Sequence, residues 1–385
     1  MIALIRYELK KALGRRIIPV MILLLLALNA VNITRHHNIF QSDSMARGRY
    51  ELYCTLRGEI TDERREIVAK NYRAAQEILS GGRYDTAYDP ERYYCGFAYG
   101  DANLWCEVQE EYDRIDAYGA EMQALADAAV AANENPALSD FYRRQNAQIS
   151  AVYSGRALHD LCRLEGAAAL SEYRFSTVLQ ILMLMLIGGN LFVTERENGM
   201  AESLCTARNG GRKTAAAKLI TVLLVTVAMC MLFSAVDFAL FAYFYHIDGL
   251  SQPIYAVAEF ADSPLTCTVW QYLLLTFAMK LLGLCVLSTA FTALSAAMRN
   301  AVPVFFSAVL MTAALMLYYT FWNTGAGVLL NRINPLRLLL TTCKKYTVCN
   351  VAGYPVSTPV FAVCTGLMWL ALNSVFCLTA GRRRV

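Results

Sequence analysis

The chain has 385 residues, of which 56% are hydrophobic and 17% are charged, with a formal net charge of +4 at pH 7. This apolar share exceeds that of soluble globular domains, so the composition excludes an ordinary soluble domain and favours a membrane protein. Residues 35–172 carry 15 Lys and Arg against 23 Asp and Glu, whereas the rest of the chain is basic. An acidic polar domain and a basic membrane part therefore share one chain.

The first 34 residues predict an amphipathic helix that leads into a first span. Ile2, Ile5, Leu9 and Leu13 recur at helical spacing among five basic residues, a pattern that also fits the mere flank of a span. The apolar run from Leu13 to Ile33 has about the ~20 residues that a bilayer requires. An uncleaved span is favoured over a signal peptide because the basic region is long and no clean cleavage site follows. The preceding basic residues predict a cytoplasmic N-terminus.

Residues 35–172 are predicted to form a helical extracytoplasmic domain of ordinary domain size. Capping residues and apolar periodicity indicate three helices in it. They are predicted from Thr61 to Leu79, from Leu104 to a stop near Asn133-Glu134-Asn135-Pro136, and from Ser139 to Leu161. No catalytic set is visible among these residues, and the tyrosines of the domain are interpreted as packing residues.

Metal-ligand side chains are sparse in this chain. His36 and His37 with Asp43 give a thin indication of a metal site, but solvated polar residues at the end of a span explain them better. The sequence therefore predicts no metal and no other cofactor.

The twelve cysteines include no C-x-x-C pair, which argues against a zinc ribbon and a thioredoxin-like site. Disulfides are one interpretation of the cysteines outside the membrane, with Cys343–Cys349 and Cys95–Cys106 as the nearest pairs in sequence. Free buried thiols are the other.

Five further apolar runs predict spans two to six. They are Phe175–Val193, Ala215–Phe244, Val269–Met298, Ala301–Trp322 and Val360–Leu378. The arginines that follow the sixth run place the C-terminus in the cytoplasm. The loop of residues 323–358 is basic, against the positive-inside trend, yet the number of spans places it outside. Its apolar patch Leu336–Leu340 is expected to dip into the outer leaflet.

The predicted fold class is therefore an all-α membrane protein with six transmembrane helices and both termini in the cytoplasm. Residues 1–34 form the amphipathic helix and first span, and residues 35–172 form the extracytoplasmic insertion between the first and second spans. Residues 173–385 form spans two to six, with a polar loop at residues 194–218. A multi-pass protein of the plasma membrane is expected.

The polar loop carries a spaced set of residues between two apolar runs. The set is Glu195-x-x-x-Gly199, followed by Leu204, Thr206, Gly211-Arg212 and Lys218. At this position after the second span, the set resembles the ABC-2 type permeases, the membrane subunits of one class of ATP-driven exporters. The order of spans extends this resemblance over nearly the whole chain.

The resemblance implies that the loop couples the permease to a separate cytoplasmic ABC ATPase subunit. It also implies a second permease subunit, in a homodimer or a heterodimer, around a central path in membrane lipid. The residues expected to transmit the motion are Glu195, Gly199, Leu204, Arg208 and Arg212. Gly199 would supply a bend, and Glu195 with Arg212 would hold the loop by charge-assisted bonds.

Two charges fall inside predicted spans. Asp237 lies ~12 Å and Lys280 ~16 Å from the outer ends of spans three and four, at the helical rise per residue. Because isolated charges are costly in a membrane, we expect the two side chains to pair. A structural ion pair is favoured over a contact with the transported substrate.

The chain carries no nucleotide-binding loop of its own. In Gly210-Gly211-Arg212-Lys213-Thr214 the lysine follows arginine and no strand precedes it. The sequence thus predicts a transport subunit that is not an enzyme and has no nucleic-acid partner. A membrane sensor or assembly subunit that relays a signal without transport is the alternative. An intramembrane enzyme is disfavoured because the spans offer no suitable catalytic cluster.

Overall fold

The computed structural model describes residues 1–14, 16–41, 44–81, 87–162, 164–200, 211–321 and 327–380. The helices in these ranges are α1 Ile2–Leu13, α2 Ile17–Gln41, α3 Ser44–Leu56, α4 Asp62–Ser80, α5 Ala98–Ala132, α6 Asp140–Tyr153, α7 Glu165–Glu172, α8 Phe175–Glu197, α9 Arg212–Tyr245, α10 Val269–Ala297, α11 Ala301–Phe321, α12 Gly327–Arg332, α13 Arg337–Leu340 and α14 Thr358–Ala380. Two short antiparallel ladders pair β1 Gly58–Glu59 with β2 Asp160–Leu161, and β3 Val348–Val351 with β4 Tyr354–Ser357.

Six of these elements are long and apolar enough to cross a membrane. They are α2, the continuous stretch of α7 and α8, and then α9, α10, α11 and α14. Each coincides with one of the predicted apolar runs, so the chain is a predominantly α-helical, multi-pass membrane protein. The polar residues between α2 and α7 form an insertion between the first and second of these helices.

Helix α8 lies at the centre of the bundle. Of its most apolar window, taken with α7, 67% is buried, compared with 11% for α11. Gly188 allows the close approach of α10, because a Cβ added there would lie 3.2 Å from the Ser288 carbonyl oxygen. Small residues let membrane helices pack closely where apolar side chains gain little by leaving lipid. A displacement of α8 would therefore shift the helices that pack against it.

The insertion and two later loops form one hydrophobic core at one end of the bundle, which we call the insertion end. Leu104, Tyr112 and Tyr118 of α5 are buried in this core together with Ile254 and Phe260 of the α9–α10 loop. The β3–β4 hairpin contacts the same domain, because Arg144 of α6 lies over the ring of Tyr354 at 4.0 Å. The basic loop before α14 therefore lies on the same side of the bundle as the insertion.

Arg156 joins the insertion to the α9–α10 loop. Its guanidinium donates to the carbonyl oxygens of Ser263, at 2.7 Å, and Leu265, at 3.5 Å. It also lies 4.7–4.8 Å from the ring centres of Tyr153 and Tyr255, while the residue is only 6% exposed. Burial raises the pKa of Tyr153 to about 12, so its hydroxyl stays protonated and donates to the Asp262 carbonyl at 2.6 Å.

Replacing Arg156 with methionine is expected to loosen this junction. The variant keeps the aliphatic volume but leaves buried carbonyl oxygens without a charged donor, which costs about 3 kcal/mol. Limited proteolysis and thermal unfolding in detergent should show earlier cleavage of the α9–α10 loop and a lower melting temperature. Arg73→Met, at an exposed position of α4, is the matched control. Equal melting temperatures for both variants would contradict the assignment.

The segment from α12 to α13 returns into the bundle from the insertion end. Leu338 and Leu339 are buried against glycines of two spans: added Cβ atoms would lie 2.7 Å from Leu339 at Gly283 and 2.5 Å from Leu338 at Gly366. Gly283 is fourteen residues into α10, or ~21 Å at the helical rise. Leu338 and Leu339 of the apolar patch Leu336–Leu340 therefore pack against protein inside the bundle, and the insertion of this patch into the outer leaflet stays a prediction.

One detail of the insertion differs from expectation. Helix α4 begins after the Thr61 cap as predicted, but α6 ends at Tyr153 and Leu161 lies in β2. The chain leaves the helix at Ser154, whose backbone is extended, and Gly155 follows with a φ of 70°, which turns the chain away from the helix axis. The eleven cysteines among the described residues are free thiols, including Cys343 and Cys349.

Candidate functional site

A buried charge cluster lies at the end of the bundle opposite the insertion, which we call the α1 end. The Lys218 ammonium of α9 donates to Glu195 at 2.6 Å, to Glu8 at 3.1 Å and to the Leu191 carbonyl at 2.8 Å. Its side chain is only 1% exposed. All three ammonium hydrogens are therefore used, and the lysine ties together α1, α8 and α9.

Lys11 completes this cluster. Its ammonium lies 2.6 Å from the same Glu195 oxygen that Lys218 contacts. Two carboxylates and two ammonium groups thus balance in charge, as buried ions must to offset their desolvation. The cluster fixes the N-terminal helix α1 to the end of α8, which is the start of the predicted coupling loop.

The first residues of the polar loop are hydrogen-bonded to the α10–α11 turn. Arg196 donates to the carbonyl oxygens of Met298 and Ala296, the latter at 2.7 Å. Glu197 accepts from the Ala301 backbone N–H at 2.9 Å. Gly199 follows with a φ of 67°, the left-handed conformation that the expected bend requires.

The predicted coupling residues differ in how deeply they are buried. Glu195 is buried in the charge cluster, whereas Gly199 and Arg212 are exposed. Glu195 forms its charge-assisted bonds with Lys11 and Lys218, because the Lys218 ammonium reaches the carboxylate from inside the bundle. Leu204 and Arg208 lie outside the described residues.

The intramembrane charges of α9 and α10 come together near the insertion end. The Lys280 ammonium lies 3.8 Å from the Asp237 carboxylate. Ser176 bridges them, since its hydroxyl donates to Asp237 at 2.5 Å and accepts from Lys280 at 3.2 Å. Asn29 of α2 donates to the other carboxylate oxygen at 2.6 Å. Three spans thus supply partners for one carboxylate.

A cavity of about 360 Å³ opens beside this ion pair. It lies between α9 and α10, beneath the α7–α8 junction and beside α13, and its walls are mostly apolar. Asp237, Lys280 and Arg174 are its charged lining residues. Its volume falls at the lower end of the ~300–1,000 Å³ typical of small-molecule sites.

The described ranges contain no candidate metal site. No group of three His, Cys, Asp or Glu residues there could hold a metal ion. The His37 ring packs against Phe244 and Tyr245 with ring centres 4.7 and 5.4 Å apart. Asp43, the third residue of the thin metal indication, lies outside the described residues.

Sequence reasoning missed Glu8, Asn29 and Arg174. Two of them, Glu8 and Asn29, stand out in the sequence. Glu8 is the one acid in an otherwise basic amphipathic helix, and Asn29 is a polar side chain within an apolar run. Arg174 directly precedes the apolar run Phe175–Val193, and only the fold places it beside a cavity.

Comparison with known proteins gives no relative for this chain: no family model, no curated protein and no solved structure matches it.

Proposed function

We propose that the chain is the permease subunit of an ABC exporter of the ABC-2 type, working with a separate cytoplasmic ATPase in the plasma membrane. The observation that carries the proposal is the buried cluster of Glu8, Lys11, Glu195 and Lys218 at the base of the polar loop. It connects the described residues on both sides of the polar loop, at the end of α8 and the start of α9, to the N-terminal helix α1. Both termini and this loop are assigned to the cytoplasm, and the insertion to the outside.

The proposed mechanism is rigid-body motion driven through the loop. Closure of the ATPase would push residues 195–213, and the Glu195–Lys218 contact would pass the displacement to α8 and α9 together. Arg196 and Glu197 would carry it to the α10–α11 turn. Because packed helices shift as units rather than deform, a small movement at the loop tilts the spans.

The insertion would move with the spans. Arg156, Tyr118 and Tyr153 bond to carbonyl oxygens of the α9–α10 loop, so a tilt of α9 and α10 is transmitted to the outer domain. A second permease subunit, the same chain or a different one, would complete the path through the membrane.

A transport assay tests the proposal. The chain, co-purified with its ATPase, is reconstituted in vesicles that hold fluorescent anionic, cationic and peptide probes. We expect ATP-dependent movement of at least one probe, and a loss of 10-fold or more in Glu195→Gln. Glu134→Gln, a substitution in the α5–α6 loop of the insertion, is the control. ATP hydrolysis without movement of any probe would instead support the sensor alternative.

A further inference from the structure

Arg174 lines the cavity together with Asp237 and Lys280, and its guanidinium has no anionic partner among the described residues. Within the described part of the chain it forms no hydrogen bond or ion pair. The nearby carboxylate of Glu172 is engaged by the Lys344 ammonium. A guanidinium with five donors is therefore held at the wall of a mostly apolar cavity.

Lys280 also has donors to spare. Its ammonium donates to Ser176 at 3.2 Å and faces Asp237 at 3.8 Å, which is longer than a hydrogen bond. Asp237 is already satisfied by Asn29 and Ser176. The cavity wall thus carries two cations and one engaged anion, an excess of one positive charge.

The mouth of the cavity opens through the surface of the bundle between α9 and α10. Met231 of α9 and Trp270 and Leu274 of α10 line the cavity and are 45–58% exposed. Apolar side chains exposed on membrane-length helices favour lipid over water, which supports an opening toward the bilayer. Asp237 lies ~12 Å from the end of α9 at the helical rise, a depth that an acyl chain reaches.

We propose that this cavity binds an anionic amphiphile, whose carboxylate or phosphate group lies on Arg174 and Lys280. Its hydrocarbon chain extends past Trp270 and Leu274 toward the bilayer. The charge excess selects an anion, because a cation would meet two like charges in a low-dielectric site. The apolar walls and lipid-facing mouth select a chain-bearing molecule over a free anion. The identification of the bound molecule as the exported cargo rests on the proposed function. The binding of the amphiphile to the cavity does not depend on that function.

Direct binding to the purified chain in nonionic detergent tests the proposal without the ATPase. The probes are dodecyl phosphate, dodecanoate, dodecyltrimethylammonium and inorganic phosphate, measured by calorimetry. We expect the first two to bind, and Arg174→Gln to weaken both at least 10-fold. Arg299→Gln, at an exposed position of the opposite end, should bind as the wild type does.

A second variant tests the binding site even if Arg174→Gln fails to fold. Ala235 lines the cavity and is exposed at its mouth, so Ala235→Trp narrows the entrance without disturbing the core. It should weaken dodecyl phosphate binding at least 5-fold while the melting temperature stays unchanged.

Three results would overturn the proposal. Equal binding of dodecyltrimethylammonium would remove the charge selection, and equal binding of inorganic phosphate would remove the role of the chain. Cross-linking of Trp270 to a second copy of the protein, with no dodecyl phosphate bound, would show that the mouth is a subunit interface. Because no nucleotide is involved, failure here leaves the transport assay unaffected.

Discussion

Replacing Lys218 with methionine is expected to lower the free energy of unfolding by about 3–5 kcal/mol, the range for breaking a buried ion pair from one side. The substitution keeps most of the side-chain volume but leaves the Glu8 carboxylate, 2% exposed, without its cation. Glu195 keeps Lys11 at 2.6 Å. Thermal unfolding and the monodisperse yield in detergent measure the effect.

Two further variants separate charge from packing at this position. Lys10→Met, at an exposed position of α1, should leave stability within about 0.5 kcal/mol of the wild type. Glu8→Gln combined with Lys218→Met removes the unpaired carboxylate and should recover more than half of the loss. If Lys218→Met and Lys10→Met unfold alike, the cluster does not bind α1, α8 and α9 together.

Replacing Asp237 with asparagine is expected to reduce both stability and transport. The amide keeps the shape of the side chain, but Lys280 loses its counterion inside the bundle, at a cost of about 3 kcal/mol. Thr276→Val, an uncharged change in the same cavity wall, is the matched control. Melting temperature and ATP-dependent transport are measured on the same preparations.

The double variant Asp237→Asn with Lys280→Met distinguishes a structural pair from a ligand site. Removing both charges should restore stability, because neither ion is then left unpaired. Binding of dodecyl phosphate should fall below that of the single variant, since the headgroup has lost the Lys280 ammonium, and transport should stay reduced. Recovery of both stability and transport in the double variant would show that the pair is purely structural.

The membrane helices were the part of the fold most accessible from sequence. A span requires about 20 apolar residues whatever its neighbours are, so local composition suffices, and α9 begins and ends within three residues of the predicted Ala215–Phe244. The insertion helices followed from local signals as well: Thr61 caps α4. The β3–β4 hairpin escaped prediction because its turn, at Ala352-Gly353, lacks a strong turn dipeptide.

The sites depended on contacts between residues far apart in the chain. The pairing of Asp237 with Lys280 was inferred from the cost of two isolated charges at similar depth. The contact between Glu195 and Lys218 was not inferred from the sequence. Lys218 resembles an ordinary basic residue at the flank of a span, and only the fold turns its ammonium inward. Arg174 is the same kind of residue: its position beside a cavity depends on α7, α10 and α13 meeting there.

The central claim is that the polar loop contacts a cytoplasmic ATPase. Site-specific photo-crosslinking in cells tests it most directly, with the photoreactive side chain in place of Leu204 or Arg208, and in place of the exposed Tyr142 of the insertion as the control. The account expects an ATPase adduct from both loop positions and none from the control. No ATPase adduct from either loop position, or modification of the loop by a membrane-impermeant reagent added outside, would contradict it.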